Sequence, residues 1–195
     1  MPDEPRLTRE QLLQLGLAAP VPLILAAGAA PVLAATPACD DGDETPEQTE
    51  GPFYTPRTPR RRSLLGAGIA GRTLVLGGRV LRTDCRPVPG ALLDFWQCDS
   101  KGVYDNDGFR LRGHQLTDAQ GRWRLTTIVP AIYPGRTRHI HVKVRRPGAP
   151  VLTTQLYFPG EPANRGDQIF VPELLLHRLR KTKGRWTARF DFVLA

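Results

Sequence analysis

An antiparallel β-sandwich is the fold class this sequence predicts, and three observations predict it. Glycine and proline number 19 each in 195 residues, a turn-rich composition that stays below the ~25–30% combined that marks low complexity. Strand-like runs recur every 8–15 residues with turn signals between them, which is the rhythm of a sandwich. No apolar stripe with helical spacing is convincing; residues 173–180, the best candidate, read equally well as a short strand. The proportions of hydrophobic (41%) and charged (24%) residues are those of a globular chain of about one domain.

The elements follow in order. From Gln11 to Cys39 no residue is charged, a run of 29. Its Leu-, Ala-, Val- and Pro-rich centre and small-residue exit resemble a secretory signal, with an uncleaved anchor as the alternative. Thr36-Pro37-Ala38-Cys39 also resembles a lipobox, so membrane contact is expected only through an anchor or a lipidated Cys39. The mature protein is expected to be exported, extracellular or associated with the cell envelope. Residues 40–72 pass from acidic to Pro- and Arg-rich to Gly-rich and read as an irregular arm. The sandwich is placed at 73–195. "TLVLGGRVL" opens it, "CRPVPG" turns the chain, and "ALLDFWQCD" returns. After the loop "SKGVYDNDG", "RWRLTTIV" and "TRHIHVKVR" alternate as half-buried strands do, with the Pro-bounded loop "PAIYPG" between them. "LTTQLYF" and "RWTARFDFVL" complete the set.

Export permits disulfides. Cys85 and Cys98 are the expected mature pair, with Cys39 left for processing or lipidation; two buried free thiols are the alternative. A turn at 87–90 weighs against the pair, because Cys98 then lies far along the returning strand. The net charge is +8. The basic residues are scattered apart from Arg57, Arg60, Arg61 and Arg62, which have no interleaved aromatics, so no nucleic-acid partner is expected.

Chemistry concentrates in four residues. His139 and His141 alternate along a strand and therefore share a face, opposite Ile140, Val142 and Val144. Such a pair presents two imidazoles to one metal. Tyr104 ends a Gly-flanked loop and Tyr133 sits in the loop entering the His strand, where sandwiches build their sites. A phenolate is a hard anionic ligand matched to Fe(3+) rather than Zn²⁺. Two phenolates and a hydroxide balance ferric charge, and two neutral imidazoles leave room for substrate.

The stretches "TPEQTEGPFY", "PVPGALLDFWQCDSKGVY", "LTDAQGRWRLTTIVPAIYPGRTRHIHVKV" and "LTTQLYFPGE" together resemble the intradiol ring-cleavage dioxygenases, over about residues 45–195. The likeness is to their small exported bacterial members. It implies that Tyr104 and Tyr133 are the equatorial and axial tyrosinates and that His139 and His141 are the histidine ligands of Fe(3+). It also implies that Arg136 is the active-site arginine and that Gln155 lies beside the site. The implied reaction takes a catechol-type substrate and O2 to a cis,cis-muconate-type diacid. Thr137-Arg138 stands where the family often carries Pro-Ala, so Arg138 either favours an anionic substrate or faces solvent. The competing class is a non-catalytic transthyretin- or carboxypeptidase-regulatory-like sandwich, which shares the strand pattern without a metal. A Zn²⁺ hydrolase built on His139 and His141 lacks a well-spaced third ligand.

Overall fold

The computed structural model describes Cys39 and residues 43–195. The signal-like segment lies outside the described residues. Among the described residues nine strands follow in chain order: β1 (Thr73–Arg82), β2 (Leu92–Trp96), β3 (Arg112–Leu116), β4 (Arg122–Ile128), β5 (His139–Arg145), β6 (Leu152–Tyr157), β7 (His177–Lys181), β8 (Arg185–Arg189) and β9 (Phe192–Leu194). They form two sheets. The β1 sheet runs β4-β1-β8-β7, with β9 also paired to β1; the β5 sheet runs β3-β2-β5-β6. Among the described residues no helix is long and apolar enough to cross a membrane.

Alternation builds the core. Leu74, Leu76, Val80, Trp123 and Leu125 point inward from β1 and β4. Leu93, Phe95, Ile140, Val142 and Leu156 meet them from the β5 sheet in one cluster. Phe95 and Trp123 join the layers with ring centroids 5.3 Å apart. Since side chains alternate, everything opposite these residues points out of the sandwich. In the β5 sheet the outward set is Asp94, Trp96, Arg112, His114, His139, His141, Lys143, Gln155 and Tyr157, as the strand register shows.

The arm covers that outward face. It begins beside β6, where the Gln48 amide donates to the Thr153 carbonyl at 2.8 Å. It ends its crossing at β3, where the Arg61 amide donates to the His114 carbonyl at 2.9 Å. It then passes to β4, exchanging bonds with both backbone groups of Thr126. One irregular segment thus lines both edges of the β5 sheet and the β4 edge of the β1 sheet, which would otherwise offer unpaired backbone. Gly113 permits the passage, since a Cβ there would stand 2.8 Å from Arg61 and 2.9 Å from Leu64.

Three expectations need correction or refinement. The all-β sandwich is present, but β8 and β9 run parallel to β1, because the chain crosses from β6 to the far side of β1 before returning. Residues 173–180 divide into a 3₁₀ turn, Pro172–Leu174, and the strand β7. The disulfide joins Cys39 to Cys85, with Cα atoms 5.5 Å apart, and Cys98 is a free buried thiol. Cys85 lies in the exposed turn after β1, whereas Cys98 follows the opposite end of β2 and packs against Trp96 and Tyr104. Burial pushes the Cys98 thiol up to about 11. A Cys39 thiol held in this disulfide is not free for lipidation.

Candidate metal and active site

His139 and His141 leave β5 on the covered face and are each 3% exposed. The His139 Nδ1 lies 2.6 Å from the Thr137 carbonyl oxygen. A carbonyl only accepts, so Nδ1 carries the proton and Nε2 presents its lone pair. That Nε2 stands 3.1 Å from His141 Nε2 and 3.3 Å from the Tyr104 hydroxyl. Burial lowers the His139 imidazole to about 4 and pushes His141 well below its ordinary value. Both rings are therefore neutral at neutral pH, the form a metal requires. The His141 ring stacks on Trp96, with centroids 4.7 Å apart and planes 9° from parallel. Its buried Nδ1 has no hydrogen-bond partner among the described residues.

Tyr104 is placed by its loop. The Asp99 carboxylate accepts from the Lys101 and Val103 amides at 2.8 and 3.0 Å, and Gly102 takes φ +84° where a side chain would be strained. Phe53 of the arm stacks on the Tyr104 ring at 4.4 Å. Tyr133 sits in the next loop, where the Arg136 amide donates to the Tyr133 carbonyl at 2.9 Å and Gly135 turns the chain at φ +77°. Its half-buried ring meets Tyr104 edge-on with centroids 5.9 Å apart. The Ala131 amide donates to the Asp99 carbonyl at 3.0 Å, tying the two tyrosine loops together. The two His and two Tyr singled out from the sequence are thus gathered at one end of β5.

Arg136 and Gln155 join them. Arg136 donates from Nε to both Asp167 oxygens, at 3.1 and 2.9 Å, and from a terminal nitrogen to Gln155 Oε1 at 2.7 Å. Gln155 in turn donates to the Thr49 carbonyl at 2.9 Å, which fixes which way its amide faces. The Asp167 side chain is 1% exposed and accepts further from the Thr137 and Ile169 amides. Those amides and the guanidinium hold it below the usual carboxylate range despite its burial. Arg138 behaves as neither alternative foresaw: it pairs with Glu161 at 2.8 Å and donates to the Pro130 carbonyl.

Sequence reasoning missed Asp167, Phe53, Trp96 and Arg112. Arg112 is fully buried and satisfied by carbonyls, donating to Asp105 at 2.8 Å and to Phe53. It thereby joins the Tyr104 loop to the arm. Its only legible signal was an arginine at an outward position of a strand whose outward face turned out to be covered.

The donor set can be tested against a metal. Ligand atoms about 2.0–2.2 Å from a first-row ion and near right angles to one another lie about 3.0 Å apart. The spacings of 3.1 and 3.3 Å between His141, His139 and Tyr104 match this. The buried, unpartnered His141 ring and the phenol beside it fit a hard trivalent cation. Burial raises the Tyr104 phenol, while the Arg136 and Arg112 charges oppose that rise; a bound cation would add to their pull. Among the described residues no group of three His, Cys, Asp or Glu forms a metal cluster, so a Zn²⁺ hydrolase has no third ligand of the usual kind.

Comparison with known proteins agrees with this geometry. The sequence profile of a dioxygenase family matches residues 49–195. The chain is 29% identical over 192 residues to the hydroxyquinol 1,2-dioxygenase of Nocardioides simplex, covering 79% of this chain and 66% of that protein. It superposes on the dioxygenase domain of a dioxygenase–carbohydrate-binding protein fusion from Streptomyces sp. SirexAA-E with a TM-score of 0.75 and 53% identity, covering 78% of this chain and 98% of that one. For the 3-chlorocatechol 1,2-dioxygenase of Rhodococcus opacus 1CP the TM-score is 0.71 at 28% identity, with 76% and 71% covered. The chain spans 49–66% of the length of the curated relatives it matches most strongly.

Proposed function

We propose that this chain, which belongs to the intradiol ring-cleavage dioxygenase family, is a non-haem Fe(III) enzyme that opens a catechol-type ring between its two hydroxylated carbons with O2, giving a cis,cis-muconate-type diacid. The observation that carries this is the placement of Tyr104 Oη and His141 Nε2 at 3.3 and 3.1 Å from His139 Nε2, beside the Tyr133 ring. A non-catalytic sandwich module gives no reason to bury that set under an arm.

Tyr104, Tyr133, His139 and His141 would hold the iron, which supplies a Lewis acid able to draw electron density from a chelated catecholate. The chain does the rest. The Thr137 carbonyl fixes the His139 tautomer, and Trp96 fixes the plane of the His141 ring. Phe53 covers Tyr104 and excludes water. Tyr133, half-buried, would accept a catechol proton at its Oη as the phenolate. Arg136, locked by Asp167 and Gln155, offers a preorganised cation to negative charge on the ring. Its ion pair with Asp167 serves orientation, so the structural and electrostatic roles of Arg136 coincide.

The test is turnover of catechol and hydroxyquinol by the iron-loaded chain under isotopically labelled dioxygen. Both oxygen atoms should enter one diacid product. Tyr133→Phe should retain iron and slow the step by about 10²–10⁴-fold, the usual worth of a general base. An iron-loaded chain that consumes no O2 with any catechol contradicts the reading. We also propose that the protein is exported, which the Cys39–Cys85 disulfide supports, since such bonds persist in oxidising compartments. Fractionation that finds uncleaved chain in the cytosol would refute this.

A further inference from the structure

The β1 sheet also has an outward face, and its composition is unlike anything the proposed catalysis requires. Parity along β1 places Thr73, Val75, Gly77 and Arg79 outward, opposite the buried Leu74 and Leu76. The register carries that face across the sheet. Arg122 lies opposite Arg79, and Arg124 lies opposite Gly77. Arg189 flanks Gly77 from the other side, and Arg185 flanks Thr73. Arg180 pairs with Thr187, itself beside Val75. All six arginines are exposed. Among the described residues only Arg122 of these six has a carboxylate partner, Asp118 in the β3–β4 turn. Among the described residues Arg79, Arg124, Arg180, Arg185 and Arg189 form no ion pair. The nearby Asp191 is buried and accepts from the Arg79 backbone amide instead of its guanidinium.

Like charges facing one another across strands are unfavourable. Arg124 and Arg189 are separated only by Gly77, two strand spacings or about 10 Å. A face held against its own repulsion suits a surface of opposite sign. The cations are all arginine, whose fork binds phosphate oxygens in pairs. The centre of the face is Val75, Thr126 and Thr187, so it offers no aromatic platform for unstacked bases. The uncharged run of the sequence ends at Cys39, and the disulfide fixes Cys39 to the turn after β1, the strand at the heart of this face. A membrane-directed segment therefore ends where the arginine sheet ends.

We propose that the outward face of the β1 sheet docks on an anionic phospholipid surface through Arg79, Arg124, Arg180, Arg185 and Arg189. The candidate metal site lies on the outward face of the other sheet, so docking leaves it turned away from the lipid.

The experiment is co-sedimentation of the full chain with phosphatidylglycerol–phosphatidylcholine vesicles, with pure phosphatidylcholine vesicles as the baseline. The baseline also reports any contribution of the uncharged run. Binding to the anionic vesicles should exceed the baseline and weaken steeply with salt. Arg124→Glu/Arg189→Glu should reduce it about 30-fold or more. Arg57→Glu/Arg60→Glu, equal in charge but on the part of the arm that crosses the β5 sheet, should leave it within about threefold. Arg124→Gln/Arg189→Gln provides the same comparison without introducing acids, and a thermal melt of each variant reports its folding. Equal binding to both vesicle types, or equal loss in both Glu pairs, overturns the proposal. So does duplex DNA that displaces the protein from vesicles at matched phosphate concentration, which would assign the face to nucleic acid.

Discussion

Two outward faces of one sandwich, built from strands of the same alternating pattern, have opposite fates. On the β5 sheet, His139, His141 and Gln155 point away from the core and are nonetheless buried. On the β1 sheet, Arg79, Arg124 and Arg189 point away from the core and are exposed. The strands do not make this difference; the arm does. It crosses from β6 to β3 and places Gly51, Phe53 and Tyr54 over the first face. Gly51 fits closely, since a Cβ there would stand 3.6 Å from the His141 ring. Covered imidazoles lose water and stay neutral, the form a metal requires. Uncovered guanidiniums keep water and charge, which makes them a surface. A strand's outward parity therefore decides which residues share a face, and the cover decides what they can do.

The comparison is broken most severely at the covered face itself. His141→Ala removes a donor atom but leaves the core set Ile140, Val142 and Val144 untouched. The β-sheet circular dichroism should persist, while iron retention falls by more than the about 10–100-fold that a residue merely supporting a ligand is worth. Metal analysis after chelation checks this. Loosening the start of the cover comes next. Cys39→Ser opens a disulfide whose partners are 46 residues apart, a closure worth about 4 kcal/mol in the chain-entropy model. Denaturant unfolding should show that loss, and hydrogen exchange should show it concentrated in residues 43–64. The smallest effect is expected on the open face. Arg124→Gln/Arg189→Gln relieves repulsion in solution and should raise stability by no more than about 0.5 kcal/mol. That gain should vanish near 1 M salt, where screening extends over only about 3 Å, and catechol turnover should be unchanged.

Much of this was legible because strands have a period of two. The alternation of 122–128 and 139–145 marks β4 and β5 and places both histidines on one face. Tyr104 and Tyr133 could be joined to them only through the joint motif, because loop residues carry no periodicity. Asp167 was invisible, since it meets Arg136 across 31 positions from an irregular segment. The Cys39–Cys85 pairing depends on where the arm begins, which local pattern does not encode. The arginine face was hidden for a related reason. Its members at 79, 124, 180, 185 and 189 are scattered in the chain, and only the register of β1 with β4 and β8 collects them. The parallel pairing of β8 that completes this register ran against the antiparallel expectation.

If the covered face holds ferric iron through phenolate oxygen, the visible spectrum of the purified chain reports it. Iron on tyrosinate produces a phenolate-to-metal charge-transfer band that neither Zn²⁺ nor the empty protein can show. Such a band is expected with about one iron per chain, shifted in Tyr104→Phe and in Tyr133→Phe as each phenolate is lost. An iron-loaded chain with no visible band, or a band unmoved in both variants, would contradict phenolate ligation.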